Sequence, residues 1–245
     1  MLEIVKNTIS QNNMLSANDK VLVALSGGCD SICLSLVLME LGYNIAVAHV
    51  NHSIRQTASR DENFVMEFAS RYNIPYHITK INIPEIAKKN KISEETAGRT
   101  ARYEFFEKIC DEYGYTKIAV AHNLNDVCET FLMNLMRGSG IKGLCSIPKV
   151  RGRVVRPLIN VSRQLLEQYV HSKGEEFVED ETNMLTEYTR NKIRHNVMPR
   201  LYEINPSFMK NMSRTVEILT EYSEYITNNA LDVVEKKKGI SVIDK

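Results

Sequence analysis

Along the first half of the chain, short apolar runs of β type alternate with stretches whose apolar positions recur every three or four residues. The runs are Lys20–Leu25, Ile45–Val50, Tyr76–Lys80 and Lys117–Ala121; the helical stretches are Ser31–Leu41, Arg60–Tyr72, Glu94–Tyr113 and Asp126–Arg137. Near-continuous apolar runs separated by helices predict βαβ units and a mostly parallel sheet. An amphipathic helix is expected over Met1–Ser16, with Leu2, Val5 and Ile9 on one side. After a Gly/Pro/basic connection at Gly138–Arg156, helical spacing restarts at Ser162–Lys173. It returns from Asn205, where Phe208, Met212, Val216 and Leu219 mark one face. The pattern predicts an α/β parallel-sheet domain over residues 1–203 and a helical extension over 204–245. In such sheets ligands sit beyond the carboxyl ends of strands. Each motif below falls at such an end or on the helix that follows.

Directly after the first apolar run comes SGGCDS, Ser26–Ser31, and then a run expected to be an amphipathic helix. Two glycines let the backbone approach an oxyanion with no Cβ in the way. The helix start adds unpaired N–H donors and the favourable end of a dipole. Ser26 and Ser31 contribute hydroxyls, and Asp30 contributes a carboxylate suited to Mg²⁺ beside phosphates. No lysine follows the glycines, which separates the hexad from the GxxxxGKS/T loop that grips β- and γ-phosphates. It resembles instead the pyrophosphate loop of ATP pyrophosphatases, which split ATP between the α- and β-phosphates. The nucleotide-binding set read here is Ser26, Gly27, Gly28, Cys29, Asp30 and Ser31, joined by His49 and Arg55.

Composition narrows the class. At 245 residues, 43% apolar and 25% charged, the chain suits one sizeable domain with a small appendage. No stretch approaches the roughly 18 uncharged apolar residues of a membrane span. MLEIVKNTIS lacks the basic-then-apolar layout of a secretory signal. Five cysteines (Cys29, Cys33, Cys110, Cys128, Cys145) without a CxxC pair argue against disulfide, zinc and iron–sulfur frameworks. A cytoplasmic protein is expected. Net charge is only +1, but from Thr130 to Gln164 there are seven basic residues and no acidic one. Five acids then fall within Glu175–Glu181. The basic stretch either follows a phosphate backbone or is a solvated loop with nucleotide-facing arginines.

Four further segments carry reactive groups. In HVNHSIR, His49 and His52 lie three apart without a third ligand nearby. With Arg55 they are read as the rim of a nucleotide pocket rather than a metal site. SEETAGRTARYEFF opens a helix with Ser93 as N-cap and Glu94 and Glu95 in its first turn. Ala97, Ala101 and Phe105 would face the core, while Arg99 and Arg102 share another side. Those arginines suit phosphate through their planar fork, or Arg99 simply pairs with Glu95. In AHNLNDVCET, Asn125 can cap the next helix, with Asp126 and Glu129 on one face. The two carboxylates complement a helix dipole, or bind Mg²⁺ or an ammonium group. Within EDETNMLTEYTRNKIRHNVMPRL, Arg190 and Arg194 lie four apart on one helical face, for an anionic partner or for solvent.

In this order, SGGCDS, HVNHSIR, EETAGRTARY, AHNLNDVCET, RGSGIKGL, RPL (Arg156–Leu158) and EDETN followed by RNKIR resemble the tRNA(Ile)-lysidine synthetase family. They cover roughly Lys20–Asn205. The resemblance implies an adenine nucleotide alpha hydrolase-like, Rossmann-type fold and ATP-dependent ligation of L-lysine to a cytidine. That cytidine is the first anticodon base of the CAU-anticodon isoleucine tRNA. Its O2 would attack the α-phosphate and release pyrophosphate; the lysine amine would then attack C2 and expel AMP. By the same resemblance Asp30 would hold Mg²⁺, and Asp126 and Glu129 would receive the amine. Arg99 with Arg190 or Arg194 would stabilise charge on phosphate. The family pattern near AHHxDDQxET is altered here to Asn123, Asn125 and Val127. The family's C-terminal tRNA-binding domains have no counterpart expected in these residues. Alternatives are a tRNA-thiolating relative, or a truncated non-catalytic ATP- and tRNA-binding protein. No membrane partner is expected, and homodimerisation is left open.

Overall fold

The computed structural model describes residues 1–51, 58–178 and 189–237. In chain order the elements begin α1 (Leu2–Gln11), β1 (Lys20–Ala24), α2 (Cys29–Glu40), β2 (Asn44–Asn51), α3 (Ala58–Arg71) and β3 (Tyr76–Lys80). There follow α4 (Ile83–Asn90), α5 (Glu94–Tyr113), β4 (Lys117–Ala119), α6 (Leu124–Met136), α7 (Ile141–Leu144), β5 (Val150–Arg151) and β6 (Val154–Val155). The chain continues with α8 (Arg163–Ser172), α9 (Thr189–Lys192), a π-turn (Ile193–Val197), α10 (Met198–Ile204) and α11 (Phe208–Lys237). Two compact units result: Met1–Leu124 with Lys149–Glu181, and Asn125–Pro148 with Thr182–Lys245. This division differs from the 203/204 boundary read from the sequence, because residues 125–148 group with the C-terminal helices.

The first unit holds the sheet, in the order β3-β2-β1-β4-β6-β5 among the described residues. All pairings are parallel except the β5–β6 hairpin. Leu22 sits in register between Ala46 of β2 and Ile118 of β4, so β1 is central. Val21, Leu22 and Val23 have no exposed surface, as expected of a strand covered on both faces. The chain moves outward from β1 in one direction through β2 and β3, and in the other through β4. That reversal creates a crevice at the carboxyl ends of β1 and β4, the usual ligand position in open α/β sheets.

Helix α5 forms as its sequence dictates. Ser93 Oγ accepts from Thr96 N–H at 3.2 Å, and Gly114 ends the helix at φ +72°. Ala97 and Ala101 are buried as expected, but Phe106 rather than Phe105 carries the deep contact, beside Leu22, Ala48 and Ile118. Helix α2 departs from the amphipathic expectation: Cys29 and every residue from Ser31 to Leu38 are buried. Its outer face is covered by α8, so it has no solvent side to require polar residues. The connection at 138–156 contains α7 and the β5–β6 hairpin. Strands of two residues around Gly152 (φ +58°) are too short to show a period.

The second unit is helical. Among the described residues, its buried apolar side chains are Val127, Cys128, Ile193, Met198, Met209, Met212 and Val216. The path from Thr189 to Ile204 is not a uniform α-helix: residues 193–197 widen to a π-turn just ahead of Pro199. Proline has no N–H, and its ring crowds the carbonyl four residues back. An α-to-π widening relieves both. Among the described residues no helix is long and apolar enough to cross a membrane.

Candidate active site

Beyond β1 the chain turns through Ser26–Ser31 into α2. Gly27 has φ +89°, a left-handed backbone that costs an L side chain about 1–2 kcal/mol. A Cβ there would lie 3.4 Å from Phe64 Cδ1 and 3.5 Å from Val178 Cγ2. Gly28, the N-cap of α2, has φ −75°. A Cβ on it would meet only Ser26 Oγ at 3.5 Å and the Val178 carbonyl at 3.9 Å. The left-handed backbone therefore explains glycine at 27, and neither backbone nor packing explains it at 28. An oxyanion brought against the helix start explains both. Ser31 knots the turn: its Oγ donates to the Gly28 carbonyl at 2.9 Å and accepts from Ser26 N–H at 3.2 Å.

Asp30 lies in the first turn of α2, where a carboxylate complements the dipole. Its partner comes from beyond β4: buried Asn123 donates Nδ2–H to Asp30 Oδ2 at 3.1 Å. Sequence reasoning placed Asn123 among the altered positions but not against Asp30. His49 is buried and donates Nδ1–H to the Leu25 carbonyl at 2.9 Å. Its visible contact therefore fixes the exit of β1. Arg55 and His52 lie outside the described residues, as does EDETN. At the end of β6, buried Arg156 donates Nε–H to His122 Nδ1 at 3.1 Å. Burial lowers the Arg156 pKa, and the neighbouring Arg151 and Arg99 charges push the same way. Arg99 lies on the flank of α5, with its guanidinium 5.1 Å from the centre of the Tyr103 ring.

A strap crosses the turn. Val178 N–H donates to the Gly27 carbonyl at 2.9 Å. Three residues earlier, buried Glu175 accepts from Arg71 Nη1 at 2.9 Å and from the Tyr72 hydroxyl. Burial and that bond to Glu175 push the Tyr72 hydroxyl up to about 12. The acidic run thus begins as an anchor, which its charge pattern alone did not reveal.

In the second unit, Glu129 has 1% exposed surface. Arg194 holds it in a two-pronged grip, Nε–H to Oε1 at 2.7 Å and Nη2–H to Oε2 at 2.9 Å. The same Nη2 donates to Asp126 Oδ1 at 3.4 Å. Arg190 donates Nη2–H to Thr130 Oγ1 at 2.8 Å, with its Nε 3.7 Å from Glu129. Burial raises the Glu129 carboxyl above its usual range, against the lowering pull of Arg194. The four expected residues Asp126, Glu129, Arg190 and Arg194 are thus brought together. Asn125 lies in the first turn of α6, which starts at Leu124, not at the expected cap.

Residues 1–201 match the PP-loop domain family. The tRNA(Ile)-lysidine synthase of Petrotoga mobilis is 37% identical over 212 residues, 85% of this chain and 68% of that protein. The chain belongs to the PP-loop family of tRNA(Ile)-lysidine synthases. The synthase of Bacteroides thetaiotaomicron is 43% identical over 225 residues, 91% of this chain and 53% of that protein. That of Clostridium tetani is 40% identical over 258 residues, covering 98% and 55%. The chain thus spans about half the length of these two relatives. Among solved structures, the U34-tRNA thiolase NcsA of Methanococcus maripaludis superposes with a TM-score of 0.73 at 19% identity, over 89% of this chain and 78% of that one. The NMN synthetase of Francisella tularensis gives 0.53 at 12% identity, over 91% and 92%. Both likenesses concern the fold. In this lysidine synthase relative, the Asn123 side-chain amide supplies a donor to the loop aspartate.

Proposed function

We propose that the chain carries out the ligation its family name describes: ATP-dependent attachment of L-lysine to the wobble cytidine of the CAU-anticodon isoleucine tRNA, in the cytoplasm. The observation that carries this reading is the lysine-free glycine turn at the start of α2, open at Gly28 and flanked by Asp30. Such a turn suits the pyrophosphate portion of ATP and leaves the α-phosphorus open to attack.

The fit to Mg²⁺ rests on the donor set. Asp30 is a single carboxylate beside two hydroxyls, and Mg²⁺ bound with a nucleotide asks for one or two carboxylates plus phosphate oxygens and water. Asp30 would hold it, and the ion would supply charge neutralisation at the phosphates. The backbone of Ser26–Ser31 holds the departing pyrophosphate by its N–H groups. Cytidine O2 displaces pyrophosphate from the α-phosphorus, giving an adenylated cytidine. The lysine amine then attacks C2, and AMP leaves. A free lysine amine has pKa about 10.4 and must lose a proton before attack. Asp126 and Glu129 receive it in this reading. They already hold one cation, Arg194, so an arriving ammonium exchanges with a guanidinium. No bare charge is buried in that exchange. Arg99 and Arg190 add positive charge for the phosphates.

The thiolation alternative finds little support in the cysteines. Cys29, Cys33, Cys110 and Cys128 are buried. Burial pushes Cys29 and Cys128 up to about 12 and Cys110 up to about 11, away from the reactive thiolate form. Nucleoside analysis of the tRNA after incubation with this chain, ATP and lysine tests the reading. Lysidine is the expected product, dependent on all three reactants. A thiolated base, or nucleotide binding without turnover at saturating lysine and tRNA, would replace it.

A further inference from the structure

The flank of α5 carries a second feature, a groove that shares Arg99 with the reaction above and adds groups the reaction does not use. Arg99, Thr100, Tyr103, Glu104, Glu107 and Arg151 line an open groove of about 550 Å³. Two guanidiniums from distant parts of the chain converge on one ring. Arg99 lies 5.1 Å and Arg151 5.7 Å from the centre of Tyr103. Both distances fall within the roughly 6 Å over which a cation is drawn to an aromatic face. Both arginines are exposed, and Tyr103 is half-buried. Of the two acids in the lining, Glu107 is already taken: Arg153 on the same hairpin lies 3.2 Å from it and 2.5 Å from Asp111, leaving Glu104 facing two arginines. Arg151 belongs to the acid-free basic stretch from Thr130 to Gln164.

We infer that this groove seats single-stranded RNA: its phosphates draw the Arg99 and Arg151 guanidiniums off the Tyr103 ring that they now cover, and a base stacks in their place. An aromatic ring flanked by arginines is what unpaired nucleotides require, since every base offers a π-face and every linkage a charge. A duplex hides its base faces and offers the ring nothing. That the strand belongs to the tRNA substrate rests on the function proposed above. The seat itself rests on the groove. Arg99 then acts on the RNA strand next to the reacting nucleotide, a more specific task than general charge stabilisation.

Binding of a labelled anticodon stem-loop RNA, followed by anisotropy without ATP or lysine, tests the seat. Tyr103→Leu is expected to weaken binding roughly tenfold with the salt dependence unchanged. Arg151→Gln is expected to weaken it and to flatten the slope of log K against log salt by about 0.7, the signature of one lost single-strand phosphate contact. Tyr103→Phe, which keeps the ring, is expected to restore most of the affinity. Melting curves confirm that each variant folds. Wild-type affinity in both Tyr103→Leu and Arg151→Gln would overturn the inference, as would equal displacement of the RNA by polyglutamate. A chain that binds RNA through Tyr103 but makes no lysidine would contradict the proposed reaction and leave the seat standing.

Discussion

Replacing Asp30 by Asn is expected to lower lysidine formation by at least about 10²–10³-fold while the protein stays folded. The substitution removes the loop's carboxylate and keeps its shape. Asn123 Nδ2 donates to Asp30 Oδ2 at 3.1 Å, and an amide oxygen at that place still accepts. The turn itself is held by Ser31 and Val178, neither of which bonds to the Asp30 carboxylate. What disappears is negative charge at the start of α2, where Mg²⁺ would be held against the nucleotide. The loss should therefore fall on turnover and on the Mg²⁺ concentration needed for half-maximal rate, with the melting temperature nearly unchanged. Asp30→Ala should lose activity as well. Full activity in either variant would remove Asp30 from the metal-binding role.

Arg194→Met should act mainly on stability, and in a pH-dependent way. Glu129 is buried with only 1% of its surface exposed, and its two strongest bonds come from Arg194. Breaking a buried ion pair from one side typically costs about 3–5 kcal/mol, because a bare charge is left behind. Burial already raises the Glu129 carboxyl, and Arg194 is the chief opposing influence. Without Arg194 the carboxyl rises further, so the folded chain holds the proton more tightly than the unfolded chain does. Stability then falls as pH climbs from the unfolded value, about 4.3, through the folded one. Urea unfolding should show the larger deficit near pH 8 and a smaller one near pH 5. Adding Glu129→Gln to Arg194→Met should recover much of the loss at pH 8 but no activity. A small deficit equal at both pH values would mean that Glu129 does not depend on Arg194.

The contrast between what the sequence revealed and what it hid follows from distance along the chain. SGGCDS was legible because glycine freedom, hydroxyls and a carboxylate lie within six consecutive residues, between a strand and a helix. Ser93 was legible as a cap for the same reason: its bond to Thr96 spans three residues. The cluster of Asp126, Glu129, Arg190 and Arg194 was visible as two helical pairs, but its pairing was not, since 65 residues separate Glu129 from Arg194. Asn123 against Asp30 spans 93 residues, and Glu175 against Tyr72 spans 103. No local period encodes such contacts. Helix α2 is not amphipathic as its position in the sequence suggests, because its outer cover, α8, arrives more than a hundred residues later. The π-turn could have been suspected from Pro199, which sits where an α-helix would need an N–H donor.

The most direct test of a cradle that exposes the innermost phosphorus is the fate of ATP labelled at its γ-phosphate, in the presence of lysine and the isoleucine tRNA. The label is expected to leave as pyrophosphate, in step with lysidine and AMP and only when the tRNA is present. Label released as inorganic phosphate, with ADP left behind, would contradict the account at its root.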